Sequence, residues 1–171
     1  MKTLLTLPPG LYEGLLEHLL PPNQEVEEAA FVLASVKEVE GTTTFEALEA
    51  VKLQPDDFVA QYEDYLELGD ATRTKLIKRA HDLNGSIVEL HSHVSTRLAE
   101  FSWSDRIGLK ETVAHMRWRL SGRPYAAIVF ARQSFDALVW LTDRTAPMPL
   151  NGLLAGDRLL QPTNRSFENW I

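Results

Sequence analysis

Residues 87–105 read IVELHSHVSTRLAEFSWSD, and this stretch constrains the fold more than any other. It opens on Ile87, Val88 and Leu90, apolar residues just after the turn signal Asn84-Gly85, so it begins as a strand. Side chains alternate faces along a strand, which turns His91 and His93 to the same side. Ser102-Trp103-Ser104-Asp105 then opens a helix, with a capping hydroxyl and an early acid. Two imidazoles on one rigid strand and a carboxylate at the next helix start make a three-ligand set. With a fourth position left for water, this is the pattern of catalytic zinc sites. The rest of the chain reads as scaffold and gate for that site.

The flanking segments alternate between helix and strand. Residues 2–7 form a short strand, punctuated by Pro8, Pro9 and Gly10. Residues 11–20 form an amphipathic helix with Leu11, Leu15, Leu16, Leu19 and Leu20 on one face, and its His18 is a boundary histidine. Residues 29–34 are a continuous apolar run, read as a buried strand that continues toward Val39. Gly41 and residues 42–44 make a turn, and residues 45–53 return as its partner strand, with Leu48, Glu49 and Ala50 leaving helix open there. Residues 54–57 are a loop, and residues 58–68 are open to strand or helix. Residues 71–83 form a helix, and so do residues from Ser102 to about Leu120. YAAIVFA (125–131) and residues 135–141 are buried strands joined by a short turn, a hairpin. Residues 142–149 are a loop, and the tail from Leu150 carries one short strand at most. Helices between strands in one domain over residues 1–171 make the class α/β or α+β.

Composition narrows the function. The formal net charge of −7 argues against nucleic acid, whose binders show a basic patch. Arg117, Arg119, Arg123, Lys75, Lys78 and Arg79 are interleaved with apolar residues and read as solvated helix faces. There are no cysteines, so disulfides, thiol catalysis and Cys-ligated zinc are excluded. The first apolar run stops at Pro8-Pro9, too early for a signal-peptide core, and no stretch approaches a membrane span. The expectation is a cytoplasmic protein with no membrane partner.

Each site element alone has an ordinary reading. His91 and His93 read as two histidines at a strand end. Asp105 reads as an acid favoured by the helix dipole, and Ser102 with Asp105 as a capping box. Together, HSH closing a buried strand and Ser-x-x-Asp opening the next helix resemble the signature of the JAMM metalloproteases of the MPN (JAB) family. That family also carries a glutamate before a hydrophobic strand, with small residues three and seven places later. Glu27 has Ala30 and Ala34 at those offsets, whereas Glu28 has Phe31 and Ser35. The resemblance runs from about Glu27 to Leu141 and includes the order of the later strands. Val94 stands where the family usually has proline, and the gap from His93 to Asp105 is one residue longer than common.

The resemblance implies an MPN-like mixed curved sheet flanked by helices. It implies Zn²⁺ held by His91, His93 and Asp105, with Glu27 as general base and then acid. Ser102 would donate to the oxyanion. The implied substrate is a ubiquitin-like protein joined to a lysine, in a compact bacterial deubiquitinase-like form with associated activating and conjugating enzymes. One alternative is a peptidase trimming the C-terminus of a ubiquitin-like or sulfur-carrier protein. Another is a non-catalytic MPN scaffold. On the residues alone, Glu27 also reads as a solvated acid beside Glu25 and Glu28.

Overall fold

Three apolar runs of the sequence lie side by side at the centre of the structure, a computed structural model that describes residues 1–170. In chain order the first elements are β1 (Lys2–Leu7), α1 (Leu11–Leu19), β2 (Ala29–Val39) and β3 (Thr42–Lys52). Next come β4 (Phe58–Gln61), β5 (Leu66–Leu68), α2 (Asp70–Asp82), β6 (Ser86–Ser92) and α3 (Trp103–Arg119). The last are β7 (Tyr125–Ala131), β8 (Ser134–Trp140), β9 (Met148–Pro149), β10 (Gly152–Ala155), β11 (Arg158–Leu160) and α4 (Arg165–Glu168). All strands but two join one nine-stranded sheet in the order β11-β10-β1-β3-β2-β6-β7-β8-β9. The sheet is mixed: β1 is parallel to β3 and β10, β6 is parallel to β7, and β2 runs antiparallel to both β3 and β6. A register shift between Leu33 and Ala34 breaks the β2–β3 ladder, and such bulges bend and twist a sheet into a curl.

Strand alternation builds a core on each face. Ala30, Val32, Ala34, Val88, Leu90, Ile128 and Phe130 face α1, whose Leu15 and Leu19 cover them. Ala29, Phe31, Leu33, Ile87, Ala127 and Val129 face the other way, toward Leu76 and Ile77 of α2 and Leu109, Val113 and Met116 of α3. A buried leucine or phenylalanine stabilises by roughly 1.5–3 kcal/mol, so both faces hold without a metal. The connection from α2 into β6 needs special backbone. Asn84 adopts the left-handed region (φ 49°), and a Cβ on Gly85 would come within 3.3 Å of the Ala34 carbonyl oxygen. That close approach sets β6 tightly against β2.

The elements differ from the sequence reading in three places and settle a fourth that it left open. β3 begins at Thr42, so residues 42–44 belong to the strand and not to the turn; Glu40 and Gly41, both at positive φ, make the turn. Residues 58–68 form the small β4–β5 hairpin, packed through Phe58, Leu66 and Leu68 on the α2–α3 side. β9 adds a short rung within residues 142–149. The tail holds two strands and a helix, where one strand at most was expected. β10 pairs with β1, which lies at the other end of the chain, so its order comes from a distant partner and not from local periodicity. Among the described residues no helix is long and apolar enough to cross a membrane.

Candidate metal centre

β2 starts where β6 ends, because the two are antiparallel with Ala29 opposite His91. Residues just before β2 therefore stand beside residues at the end of β6. His93 lies one position past the last residue of β6, yet its amide still donates to the Phe130 carbonyl of β7, 2.8 Å. The strand direction thus carries through both histidines. His91 and His93 are buried, with 8% and 7% of their surfaces exposed. The ring of Phe101 packs 5.6 Å from that of His91 and closes its outer side.

Asp105 reaches the same point from α3. Its amide donates to Ser102 Oγ (3.1 Å), and its Oδ2 accepts from the Ser102 amide (2.7 Å), the two halves of a capping box. The same Oδ2 lies 3.1 Å from His93 Nε2 and 3.6 Å from His91 Nε2, and the two Nε2 atoms are 3.3 Å apart. A tetrahedral ion with ligand bonds of about 2.0–2.1 Å needs ligand atoms about 3.3–3.4 Å apart. The three measured separations bracket that value. Two imidazoles and one carboxylate are also a donor set that suits zinc. The buried His91, His93 and Asp105 can therefore hold a metal ion, and zinc is compatible with them.

Glu27 stands next to this group but outside it. Its Oε1 is 3.6 Å from His93 Nε2, and only 4% of its surface is exposed. Three contacts fix it there. Its amide donates to the Tyr62 carbonyl (2.8 Å), and its carbonyl accepts from Gln61 Nε2 (2.9 Å), both from the β4–β5 hairpin. Ser92, the residue between the histidines, faces the other way, and its Oγ accepts from the amide of Glu28, 3.1 Å. Burial raises the carboxyl of the neighbouring Glu28, with His18 of α1 and a hydrogen bond from Gln61 opposing the rise. Of the two glutamates, the structure brings Glu27 to the histidines.

The electrostatics follow from burial and close charges. Burial pushes the Glu27 carboxyl up to about 7, with Asp105 and Asp64 adding to the rise and His91 opposing it. Burial works against a charged His91, but Asp105, Glu27 and Glu89 outweigh it and raise its pKa to about 9. Burial raises Asp105, and the two histidines more than reverse this, holding it far below the usual carboxylate range. The site is thus a buried, negatively biased pocket that favours a cation.

Every sequence-predicted site residue converges here: His91, His93 and Asp105 as one group, Glu27 beside it, Ser102 at the helix cap. Ser102 Oγ also lies 2.9 Å from Ser104 Oγ, and either hydroxyl can be the donor in that pair. The sequence reading passed over Ser92, Gln61 and Tyr62, which place Glu27. It also passed over Glu89, two residues before His91 on the same strand face; strand alternation alone was enough to find it. Tyr125 of β7 donates its hydroxyl to Glu89 Oε2. No protein-family model matches this chain, and no curated protein matches it either.

Proposed function

We propose that the protein is a zinc metallo-isopeptidase of the JAMM type with an MPN-like fold, which releases a ubiquitin-like protein from a target lysine in the cytoplasm. The observation that carries the reading is the ligand spacing, with a buried non-ligand carboxylate beside it. A purely structural zinc site closes all four positions with protein side chains, whereas three ligands leave one for chemistry. When bound, zinc supplies Lewis acidity toward the scissile carbonyl and makes water a better acid.

The chain's own residues do the rest. Glu27 takes a proton from the attacking water as the water oxygen bonds to the carbonyl carbon. It then passes that proton to the amine nitrogen as the C–N bond breaks, and the second proton of the water follows to the same nitrogen, so the products are a carboxylate terminus and a lysine ammonium. A carboxyl near pH 7 suits both directions of transfer. Ser102 Oγ–H donates to the developing oxyanion. Phe101 and the hairpin limit water around the histidines.

The test is a matched pair, Glu27→Gln and Glu28→Gln, on protein analysed for metal and assayed on a ubiquitin-like isopeptide conjugate. Zinc near one equivalent per chain is expected in both. Turnover should fall about 10²- to 10⁴-fold in the first and little in the second. Protein that folds but takes no zinc, or a Glu27→Gln variant with full turnover, ends this reading.

A further inference from the structure

Glu27 has one peptide unit on each side, and all the polar groups of those two units are hydrogen-bonded. The hairpin takes one pair: the Glu27 amide donates to the Tyr62 carbonyl, and the Glu27 carbonyl accepts from Gln61 Nε2. The other pair, the Val26 carbonyl and the Glu28 amide, leads to Gln24. Gln24 Nε2 donates to the Val26 carbonyl at 2.9 Å and to Ser92 Oγ at 2.7 Å. Ser92 Oγ in turn accepts from the Glu28 amide at 3.1 Å, and the Ser92 amide donates to the Glu28 carbonyl at 3.0 Å. Ser92 is fully buried and stands between His91 and His93 at the end of β6. The same Nε2 donates at 2.9 Å to the Leu19 carbonyl, the last residue of α1. One amide group, with two hydrogens for three acceptors, therefore joins α1, the segment before β2 and the end of β6. Gln24 Oε1 is buried and accepts no hydrogen bond from the described residues, so its donors alone orient the side chain.

We propose that Gln24 is a positioning residue for Glu27, which holds the backbone of that glutamate in register with the histidine strand. The hold itself rests on the hydrogen bonds above; its effect on turnover rests on the metallopeptidase reading. Glu27 lies before the start of β2, past the last rung of the ladder at Ala29 and His91, so the sheet does not fix it. A proton-transfer group displaced by about 1 Å can cost about 10²-fold in rate. An amide suits this place where a carboxylate does not, because two carbonyls and a hydroxyl oxygen converge on its hydrogens. The metal ligands do not depend on Gln24 in the same way. His91 sits inside the ladders to β2 and β7, and the His93 amide is held by the Phe130 carbonyl. Losing Gln24 should therefore loosen the base and leave the ligands in place.

The variant is Gln24→Ala, with Gln24→Met as a second that keeps the bulk and removes the donors. In metal-free protein, hydrogen exchange of the Glu28 amide should quicken about tenfold or more, while the Val88 and Leu90 amides of β6 keep their rates. In zinc-treated protein, kcat on a ubiquitin-like isopeptide conjugate should fall about tenfold or more, with KM and zinc affinity within about twofold of the parent. Added to Glu27→Gln, Gln24→Ala should cost no more than about twofold in kcat, because its effect passes through the carboxylate already removed. Unchanged Glu28 exchange overturns the proposal, and so does a full further loss of kcat in the Glu27→Gln background. A loss of zinc affinity in step with kcat overturns it too, since Gln24 would then act on the ligands. Global unfolding of both variants would make Gln24 a support of the whole fold and overturns it likewise. Faster Glu28 exchange in a protein that neither takes up zinc nor cleaves a conjugate refutes the metallopeptidase reading alone. Cleavage lost in Glu27→Gln but untouched in folded Gln24→Ala refutes this proposal alone.

Discussion

Replacing Ser166 with alanine tests how the tail supports the metal centre. Ser166 lies on α4 and is fully buried. Its Oγ accepts from the Phe101 amide at 2.8 Å, and its own amide donates to Asp136 Oδ2 at 2.8 Å. Phe101 packs on His91 and directly precedes Ser102, whose amide holds Asp105 Oδ2. Thr163 adds a second tie from the tail, donating its hydroxyl to the Ala99 carbonyl at 2.9 Å. Removing the Ser166 hydroxyl leaves a buried amide without a partner, which costs about 1–3 kcal/mol. Part of that cost appears as looseness in the arm carrying Asp105. Outer partners of metal ligands are worth about 10- to 100-fold in affinity, and Ser166 acts one residue further out, so a loss of about tenfold is expected. The assays are urea unfolding and zinc competition against a chelator. Leu15→Ala on the opposite face serves as a control: it lowers stability by about 2–5 kcal/mol and should leave zinc affinity unchanged. If Ser166→Ala destabilises the fold yet binds zinc like the parent, the tail does not position the ligand arm.

Three further outcomes follow from the site. His91→Ala or Asp105→Ala should lose zinc and activity together while circular dichroism shows the fold intact; global unfolding would make the metal structural. Zinc affinity should rise by up to about tenfold per pH unit toward about 9, because the proton that His91 holds there must leave before metal binds; a flat profile refutes this. In metal-free protein, Glu27→Gln should be more stable than the parent by about 1–3 kcal/mol above pH 7, measured by urea unfolding. The sign follows from linkage: between the ordinary 4.5 and about 7 the folded state keeps a proton that the unfolded chain has lost, so parent stability falls as pH rises through that window.

The sequence made the centre of the molecule readable and its periphery opaque, for physical reasons. Strands buried on both faces, such as YAAIVFA, are continuous apolar runs whose length and flanking turns identify them. Alternation put His91 and His93 on one side, and the cap chemistry of Ser102 and Asp105 is local to four residues. The acid–base candidate was legible through Ala30 and Ala34, small residues on the face opposite the histidines, where β2 packs under α1. The β4–β5 hairpin was not legible, because three- and four-residue strands hold no period. β10 and β11 take their order from β1 and from each other. Ser166 and Asp136 are polar residues whose burial depends on contacts 65 and 30 residues away in the chain.

Topology explains why so few residues suffice for the site. β2 and β6 are antiparallel neighbours, so the start of one and the end of the other meet at one end of the sheet. The chain leaves β6 there carrying both histidines and returns into α3, whose first turn faces back over the same strand end. Glu27 arrives from the opposite chain direction, and the amide of its neighbour Glu28 is tied to β6 by Ser92 Oγ. The β2–β6 ladder brings the histidines and Glu27 together without a loop, whereas Asp105 arrives across residues 93–102, which the α4 tail ties down. The variable parts are then the pieces laid over this end, the β4–β5 hairpin and the α4 tail. The hairpin fixes Glu27 through Tyr62 and Gln61 and also walls an acidic cavity. The element that positions Glu27 therefore also lines the cavity beside His91 and Asp105. Changes in the hairpin should therefore move turnover through Glu27, while the sheet keeps His91 and His93 in place.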